Sequence, residues 1–274
     1  MVVKKSESRE VQIVQVAKGQ VDFCILGTSP IVLNRMSEKA RRELLLPRKK
    51  TAADRAQSLK HNPYDEFKAS PYINHDEKGP TYLQHLASAF KGAVAAAALD
   101  VPGSSKAQIG RLCWVEGERV DLYGIPELFM AIVRSADMNK TPDVRTRAIV
   151  PKWACRISIS FSKPILNETA ITNLLAFAGF SQGTGDGRNG KGKLTYGSFE
   201  IVSADNADYL HLLKHCGRKP QMAAMDEPKF YDAETEELYE WFQEEIKRRG
   251  REDEVRPTGA KNGKAKRREV LASV

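Results

Sequence analysis

The sequence predicts an α+β fold, and three observations carry that expectation. Trp153, Cys155, Ile157, Ile159 and Phe161 alternate with Ala154, Arg156, Ser158 and Ser160, the period of a half-buried strand. A helical pattern, a glycine-rich loop and a second strand follow it in that order. The 274 residues are 41% apolar and 28% charged, which suits one large domain or two small ones.

The elements read in order as follows. Residues 1–10 show no pattern and are expected to fray. Val21, Phe23 and Ile25 alternate with Asp22 and Cys24 as a strand. Gly27-Thr28-Ser29-Pro30 breaks it and Ile31-Val32-Leu33 resumes. Residues 37–79 are rich in charge, and Pro47, Pro63 and Pro71 interrupt any long helix opened at Ser37. They read as an insertion on the core. Leu83, Leu86, Phe90, Val94 and Ala97 recur at helical spacing, so a helix is expected from Thr81 to Leu99, capped at Thr81 or Ser88. Asp100-Val101-Pro102-Gly103 ends it. Residues 104–140 read as short irregular strands with turns at Gly117 and Gly124.

Pro164 stops the strand that begins at Trp153. Asn167 caps a short helix with Ile171, Leu174, Leu175 and Ala178 on one face and Gly179 as its C-terminal glycine. The loop Gly183–Gly192 leads to a strand over Tyr196–Val202. Strand, helix, glycine loop, strand is the order of half a ferredoxin-like fold. Residues 226–249 form an acidic helix with Leu238, Trp241, Phe242 and Ile246 on one face, expected to pack on the core, or alternatively on a neighbouring subunit. Residues 250–274 carry seven Lys/Arg against four Asp/Glu and read as a disordered basic tail. The folded domain is therefore expected over 1–249.

The net charge is +8, and its placement says more than its total. Arg35–Lys60 is +6, Arg134–Arg156 is +4 and Gly183–Lys193 is +2, so the rest of the chain is −4. Basic charge gathered into three stretches fits a polyanion footprint, because each neutralised phosphate releases counterions. The longest apolar run, Ala93–Leu99, is seven residues. About 20 are needed to cross a bilayer, so neither a membrane span nor a membrane partner is expected. The N-terminal residues offer no apolar export core, which predicts a cytoplasmic location. The cysteines, Cys24, Cys113, Cys155 and Cys216, form no CxxC pair, so free thiols rather than a zinc site are expected. His211, His215 and Cys216 are spaced like ligands but read as a polar helix surface.

The glycine loop matches two nucleotide-binding patterns and satisfies neither. Gly185, Gly187 and Gly190 fit GxGxxG, and Gly185, Gly190 and Lys191 fit part of a P-loop. Both motifs must follow a strand and open a helix, because the helix N-terminus holds the phosphate. Here the order is reversed, and Gly192 stands where a P-loop needs Ser or Thr. No cofactor is expected. Instead, glycines that permit positive φ let successive amides form an anion site, with Arg188, Lys191 and Lys193 beside it.

Two short motifs resemble the RAMP superfamily, specifically the guide-RNA-binding backbone subunits of CRISPR effector complexes. One is Ala87-Ser-Ala-Phe90-Lys91-Gly92, similar to that family's Ser-x-x-Lys-Gly segment. The other is Gly183–Gly192 with Tyr196-Gly197, similar to its C-terminal glycine loop. Arg145-Thr-Arg147-Ala-Ile-Val-Pro151 resembles its central hairpin. Together these cover about 90 residues in the family's order. The resemblance implies a modified RRM-like core with thumb or hairpin insertions, here about 37–79 and 117–147. It also implies single-stranded RNA as ligand, head-to-tail filaments of the chain with itself, and other effector-complex subunits as partners. The residues it places on nucleic acid are Asn34, Arg35, Lys91, Arg145, Arg147, Gly183, Gly185, Gly187, Arg188, Gly190, Lys191, Gly192 and Lys193. Some members cleave RNA with an Asp near the first strand. The matching stretch Gly27–Arg35 has none, so that activity does not carry over. The aromatic pair with which ordinary RRMs stack bases is not visible either.

The expected function is non-catalytic, sequence-independent binding of single-stranded nucleic acid, RNA first. One alternative is a single-stranded DNA-binding or annealing protein of a phage or mobile element. The other is a metal-dependent ribonuclease using Asp137 or Asp143, although salt bridges to Arg134, Arg145 or Arg147 explain those carboxylates better.

Overall fold

A computed structural model describes residues 15–36, 45, 61–134, 142–191 and 194–250. Its elements in chain order are β1 (Ala17–Gly27), β2 (Ile31–Leu33), α1 (Pro63–Ala69), β3 (Tyr72–Ile73), β4 (Leu83–Leu86), α2 (Ala87–Ala97) and α3 (Lys106–Leu112). Then come β5 (Cys113–Val115), β6 (Arg119–Tyr123), β7 (Glu127–Arg134), β8 (Pro142–Val150), β9 (Ala154–Lys163) and α4 (Glu168–Ser181). The chain closes with β10 (Phe199–Val202), α5 (Ala207–His215), α6 (Arg218–Asp226) and α7 (Ala233–Arg248). The fold is α+β, as expected. The frayed end expected over 1–10 and the tail from residue 251 onward lie outside the described residues, as does most of 37–60.

A seven-stranded antiparallel sheet runs β10-β1-β9-β6-β4-β3, with β5 also on β9. The alternation read from Val21 and from Trp153 decides the register of its two longest strands, with Phe23 opposite Ile157 and Ile25 opposite Cys155. Their inward residues meet Phe90, Val94, Leu174 and Leu175 of α2 and α4 in one core. On the other face, Tyr209 and Leu212 of α5 cover Ala154 at one end of the sheet. A second sheet, β2-β8-β7, stands apart from the first.

Four expectations need correction. The helix assigned from Thr81 starts at Ala87, because Leu83 and Leu86 belong to β4, where Gln84 pairs with Asp121. Neither Thr81 nor Ser88 caps it. The Ala87 N–H is satisfied by the Glu118 carbonyl instead (3.1 Å), while the Thr81 hydroxyl bonds Leu83 and Asp121. Within 104–140 there is a helix, α3, whose Ser105 cap accepts from Gln108 N–H (3.2 Å). Ser-x-x-Gln was its legible start signal. Asn167 caps α4 as expected, but Gly179 does not end it. A Cβ at Gly179 would strike the Phe199 carbonyl, so glycine there lets β10 approach, and the helix closes at Ser181 with Gly183 at φ 65°. On α7 the buried positions are Thr235 and Ile246 with Leu238 beside them, whereas Trp241 is 61% exposed. The helix packs on the core, with the Thr235 hydroxyl accepting from Met130 N–H of β7 (3.3 Å).

The edges of the second sheet are covered. Leu128 of β7 bonds Lys229 and Tyr231 of the segment that leads into α7. Along β8, α1 takes over where β2 stops: Ser70 accepts Ala148 N–H (2.7 Å) and Glu66 accepts Thr146 N–H (3.3 Å). Asn62 followed by Pro63 opens α1, with the Asn side chain accepting from Asp65 N–H.

Candidate nucleic-acid interface

Described arginines from three basic stretches, far apart in sequence, meet beside the second sheet. Arg35 follows β2, Arg145 and Arg147 share a face of β8, and Arg188 sits in the glycine loop. A groove of about 410 Å³ is lined by Asn34, Arg35, Glu66, Arg145 and Arg147. At Asn34 it joins a cleft of about 230 Å³ lined by Tyr72, His85, Asp186 and Arg188. Hydrogen bonds hold the junction: Asn34 Nδ2 donates to the Asp186 carboxylate (2.8 Å), and Asp186 N–H donates to the Val32 carbonyl (2.9 Å).

Arg147 is the most constrained cation. One guanidinium NH donates to the Thr146 carbonyl (2.9 Å), while its buried Nε has no partner among the described residues. Burial draws its pKa below the ordinary value, opposed by the carboxylates of Asp186 and Glu66. A guanidinium stays charged under such a shift, so this charge is desolvated and under-partnered. Arg145 pairs with Asp143 (2.9 Å), as the sequence suggested for that carboxylate. Arg35 and Arg119 lie 5.8 and 5.0 Å from the centroid of the Tyr72 ring, within cation–π range.

His61 joins α1 to β8. Its Nδ1 lies 2.7 Å from Glu66 and its Nε2 2.9 Å from Asp143. The Glu66 hydrogen bond raises its pKa above the usual value, burial opposes this, and Asp143 adds to it. Asp143 is thus held between His61 and Arg145. Asp137 lies outside the described residues, and among those described no group of His, Cys, Asp and Glu could hold a metal ion. His85 is the opposite case. It is buried, bonded to the Thr184 hydroxyl (2.7 Å), and burial pushes its pKa down to about 4, so it is neutral.

The glycine loop follows a helix and precedes a strand, as read. Gly183, Gly185 and Gly187 have φ of 65°, 85° and 63°. Its amides, however, largely face inward. Those of Gly183, Thr184, Asp186 and Gly190 donate to Ala178, Gly197, Val32 and Gln182, and Gly187 N–H donates to the Asp186 side chain. These five amides do not form the anion cradle expected of them. The loop instead contributes Arg188, braced on the Gly185 carbonyl (3.0 Å). The Lys191 side chain, Gly192 and Lys193 lie outside the described residues.

Lys91 is not brought to the groove. It lies across α2 from Ala89, which lines the cleft, and its charge acts on the Cys113 thiol of β5. The sequence reading missed Tyr72, Arg119, His61 and Glu66. His61, Glu66 and Tyr72 fall in a stretch without periodicity, where the Asn62-Pro63 helix start was the available signal. His211 and His215 stack at 4.7 Å on exposed turns of α5, apart from the groove.

No family model matches the chain, and no curated protein does. Solved structures similar to it include a chain of the type III-B Cmr-beta complex bound to cognate target RNA, at 13% identity and a TM-score of 0.38. That similarity covers 68% of this chain and 59% of that one, so this chain spans somewhat over half its length. Another is Cmr6 from Pyrococcus furiosus, at 12% identity and a TM-score of 0.36, covering 68% of this chain and 98% of that one. With TM-scores below 0.5, the likeness says nothing about what the groove binds.

Proposed function

We propose that this protein binds single-stranded nucleic acid, RNA in the first place, along the arginine-lined groove between β8, α1 and the glycine loop. One observation carries the reading: Arg35, Arg145, Arg147 and Arg188 come from three separate stretches and converge on Asn34. A folded chain gains nothing by gathering like charges unless an anion is to be met. Arg147 lines the groove as a desolvated guanidinium offset only by the charges of Asp186 and Glu66, and a phosphate would complete it.

The sheet supports a ferredoxin-like, RRM-related core. Taking β1, β6, β9 and β10 as strands one to four, the order β10-β1-β9-β6 is 4-1-3-2, with α2 and α4 as the two helices on one face. In this reading β7 and β8 form an inserted hairpin that brings Arg145 and Arg147 to the core. The superfamily resemblance adds a filament-forming subunit with effector-complex partners that holds RNA without cutting it.

Fluorescence anisotropy of the full chain with labelled single-stranded RNA tests this. Affinity is expected to fall steeply with salt, with a log–log slope of about −3 if four guanidiniums each displace counterions from a single strand. RNA is expected to bind more tightly than DNA of the same sequence through 2′-hydroxyl contacts. Absence of binding, or binding indifferent to salt, overturns the proposal. Equal affinity for DNA moves it to the annealing-protein reading, and cleavage of the RNA with magnesium moves it to the nuclease.

A further inference from the structure

We propose that His61 is a protonation switch on the groove: its charged ring bridges Glu66 and Asp143, and loss of the proton weakens nucleic-acid binding. The proposal rests on the groove reading above and names its regulation.

The geometry asks for an imidazolium. Both ring nitrogens face carboxylate oxygens, at 2.7 Å on Glu66 and 2.9 Å on Asp143. Only the charged ring can donate on both sides; a neutral one sets a lone pair against a carboxylate. The two carboxylates come from different elements, α1 and β8, so the ring is also a clasp between them. The charged groups facing this cluster are known among the described residues. Arg145 holds the other oxygen of Asp143 at 2.9 Å, Arg147 acts on Glu66 by charge, and Asp65 lies on the same helix.

The local charge balance gives the ring its leverage. Four guanidiniums, of Arg35, Arg145, Arg147 and Arg188, share the groove with the carboxylates of Glu66, Asp143 and Asp186. Among the described residues the excess is one positive charge, and the imidazolium doubles it. When the ring loses its proton, the cluster gains one negative charge, which competes with phosphate for Arg145 and Arg147. Glu66 also accepts Thr146 N–H, so the placement of α1 along β8 depends on the same cluster. The carboxylates hold the ring charged above its ordinary range, so the switch works at pH values above 6.5. The sign follows: binding is strongest where His61 is protonated and falls as pH rises through its folded pKa.

The test measures affinity of the full chain for labelled single-stranded RNA from about pH 6 to about pH 9 at constant ionic strength, with His61 followed by NMR. A fall of about threefold to tenfold is expected, the size that a change of about 0.5 to 1 in the His61 pKa on binding produces. His61→Gln should bind more weakly at the acid end and lose the pH dependence. Glu66→Gln should move the midpoint to lower pH, a shift that mere loosening of α1 does not produce, and it carries the test if His61→Gln fails to fold. Binding that is independent of pH, or an unchanged profile in His61→Gln, overturns the switch alone. Absence of RNA binding at every pH, with His61 still titrating above 6.5, overturns the groove reading instead.

Discussion

Two surfaces of this molecule carry charged side chains in quantity, and they are built on opposite plans. On the open face of the large sheet, two of the cations already hold carboxylates. Arg156 bonds Asp22 at 2.9 Å, Lys18 bonds Glu116 at 2.7 Å, and the Gln20 amide donates to the Ser158 hydroxyl at 2.9 Å. The depression there sets the carboxylates of Asp22, Glu116 and Asp121 against the guanidiniums of Arg119 and Arg156. In the groove the excess among the described residues is positive, and the buried Arg147 Nε has no partner among them. An RRM-like core would suggest that the sheet face does the binding. The proposed function puts binding in the groove instead, because a fold class alone does not locate a site.

The sharpest way to break the comparison is to displace one wall of the groove and leave the sheet face alone. Gly197 has φ 71°, and a Cβ there would collide with the Thr184 carbonyl, to which the loop is anchored through Thr184 N–H on Gly197 O (2.9 Å). Gly197→Ala is expected to cost about 2 to 4 kcal/mol by combining left-handed strain with overlap. RNA affinity should fall with it, because Asp186 and Arg188 hang on that anchor. Denaturant unfolding beside anisotropy checks this; a variant as stable as the parent would show the loop to be free to move.

Next in size is the direct removal of groove charge. Arg35→Ala with Arg147→Ala should weaken RNA binding by about tenfold to a hundredfold and flatten the salt dependence by about one to two units of slope. Both effects should be alike for unrelated RNA sequences, since phosphate contacts carry no sequence information. A loss confined to particular sequences would mean that these arginines read bases.

How much of this was legible beforehand depends on how local each signal is. The strands at Val21 and Trp153 and the Asn167 cap are written within a few residues, and the structure keeps them. The helix start at Ala87 is not, because Leu83 and Leu86 fit helical spacing equally well and only their pairing with β6 makes them a strand. Trp241 was misplaced for a related reason. Spacing puts it near the apolar face of α7, yet that face is fixed by Thr235 bonding to β7, a contact 105 residues distant. For the site, the basic stretches were visible and their convergence was not. Which of these arginines bonds a carboxylate is decided by placement in the fold, as with Arg145 on Asp143 and Arg156 on Asp22. The glycine loop shows the limit most clearly: its positive φ angles were legible, but the inward turn of its amides depends on Val32, Ala178 and Gln182.

The smallest expected effect is also the most discriminating. Arg156 belongs to the same basic stretch of sequence as Arg145 and Arg147, so charge counting alone gives all three equal weight. The structure separates them. Arg156 lies outside the groove on the open sheet face, its guanidinium already on Asp22, and the two partners hold each other's charged forms: the arginine raised by Asp22, the aspartate lowered by its hydrogen bonds to Ser158 and Arg156. Such an exposed pair is screened by salt and presents little net field to an approaching strand. Arg156→Ala should therefore change RNA affinity by less than about twofold and leave the salt slope within error, whereas Arg147→Ala should not. An equal loss in both variants would mean that the strand runs across the sheet after all, past Arg119 and Tyr72, and that the groove is only where its path begins.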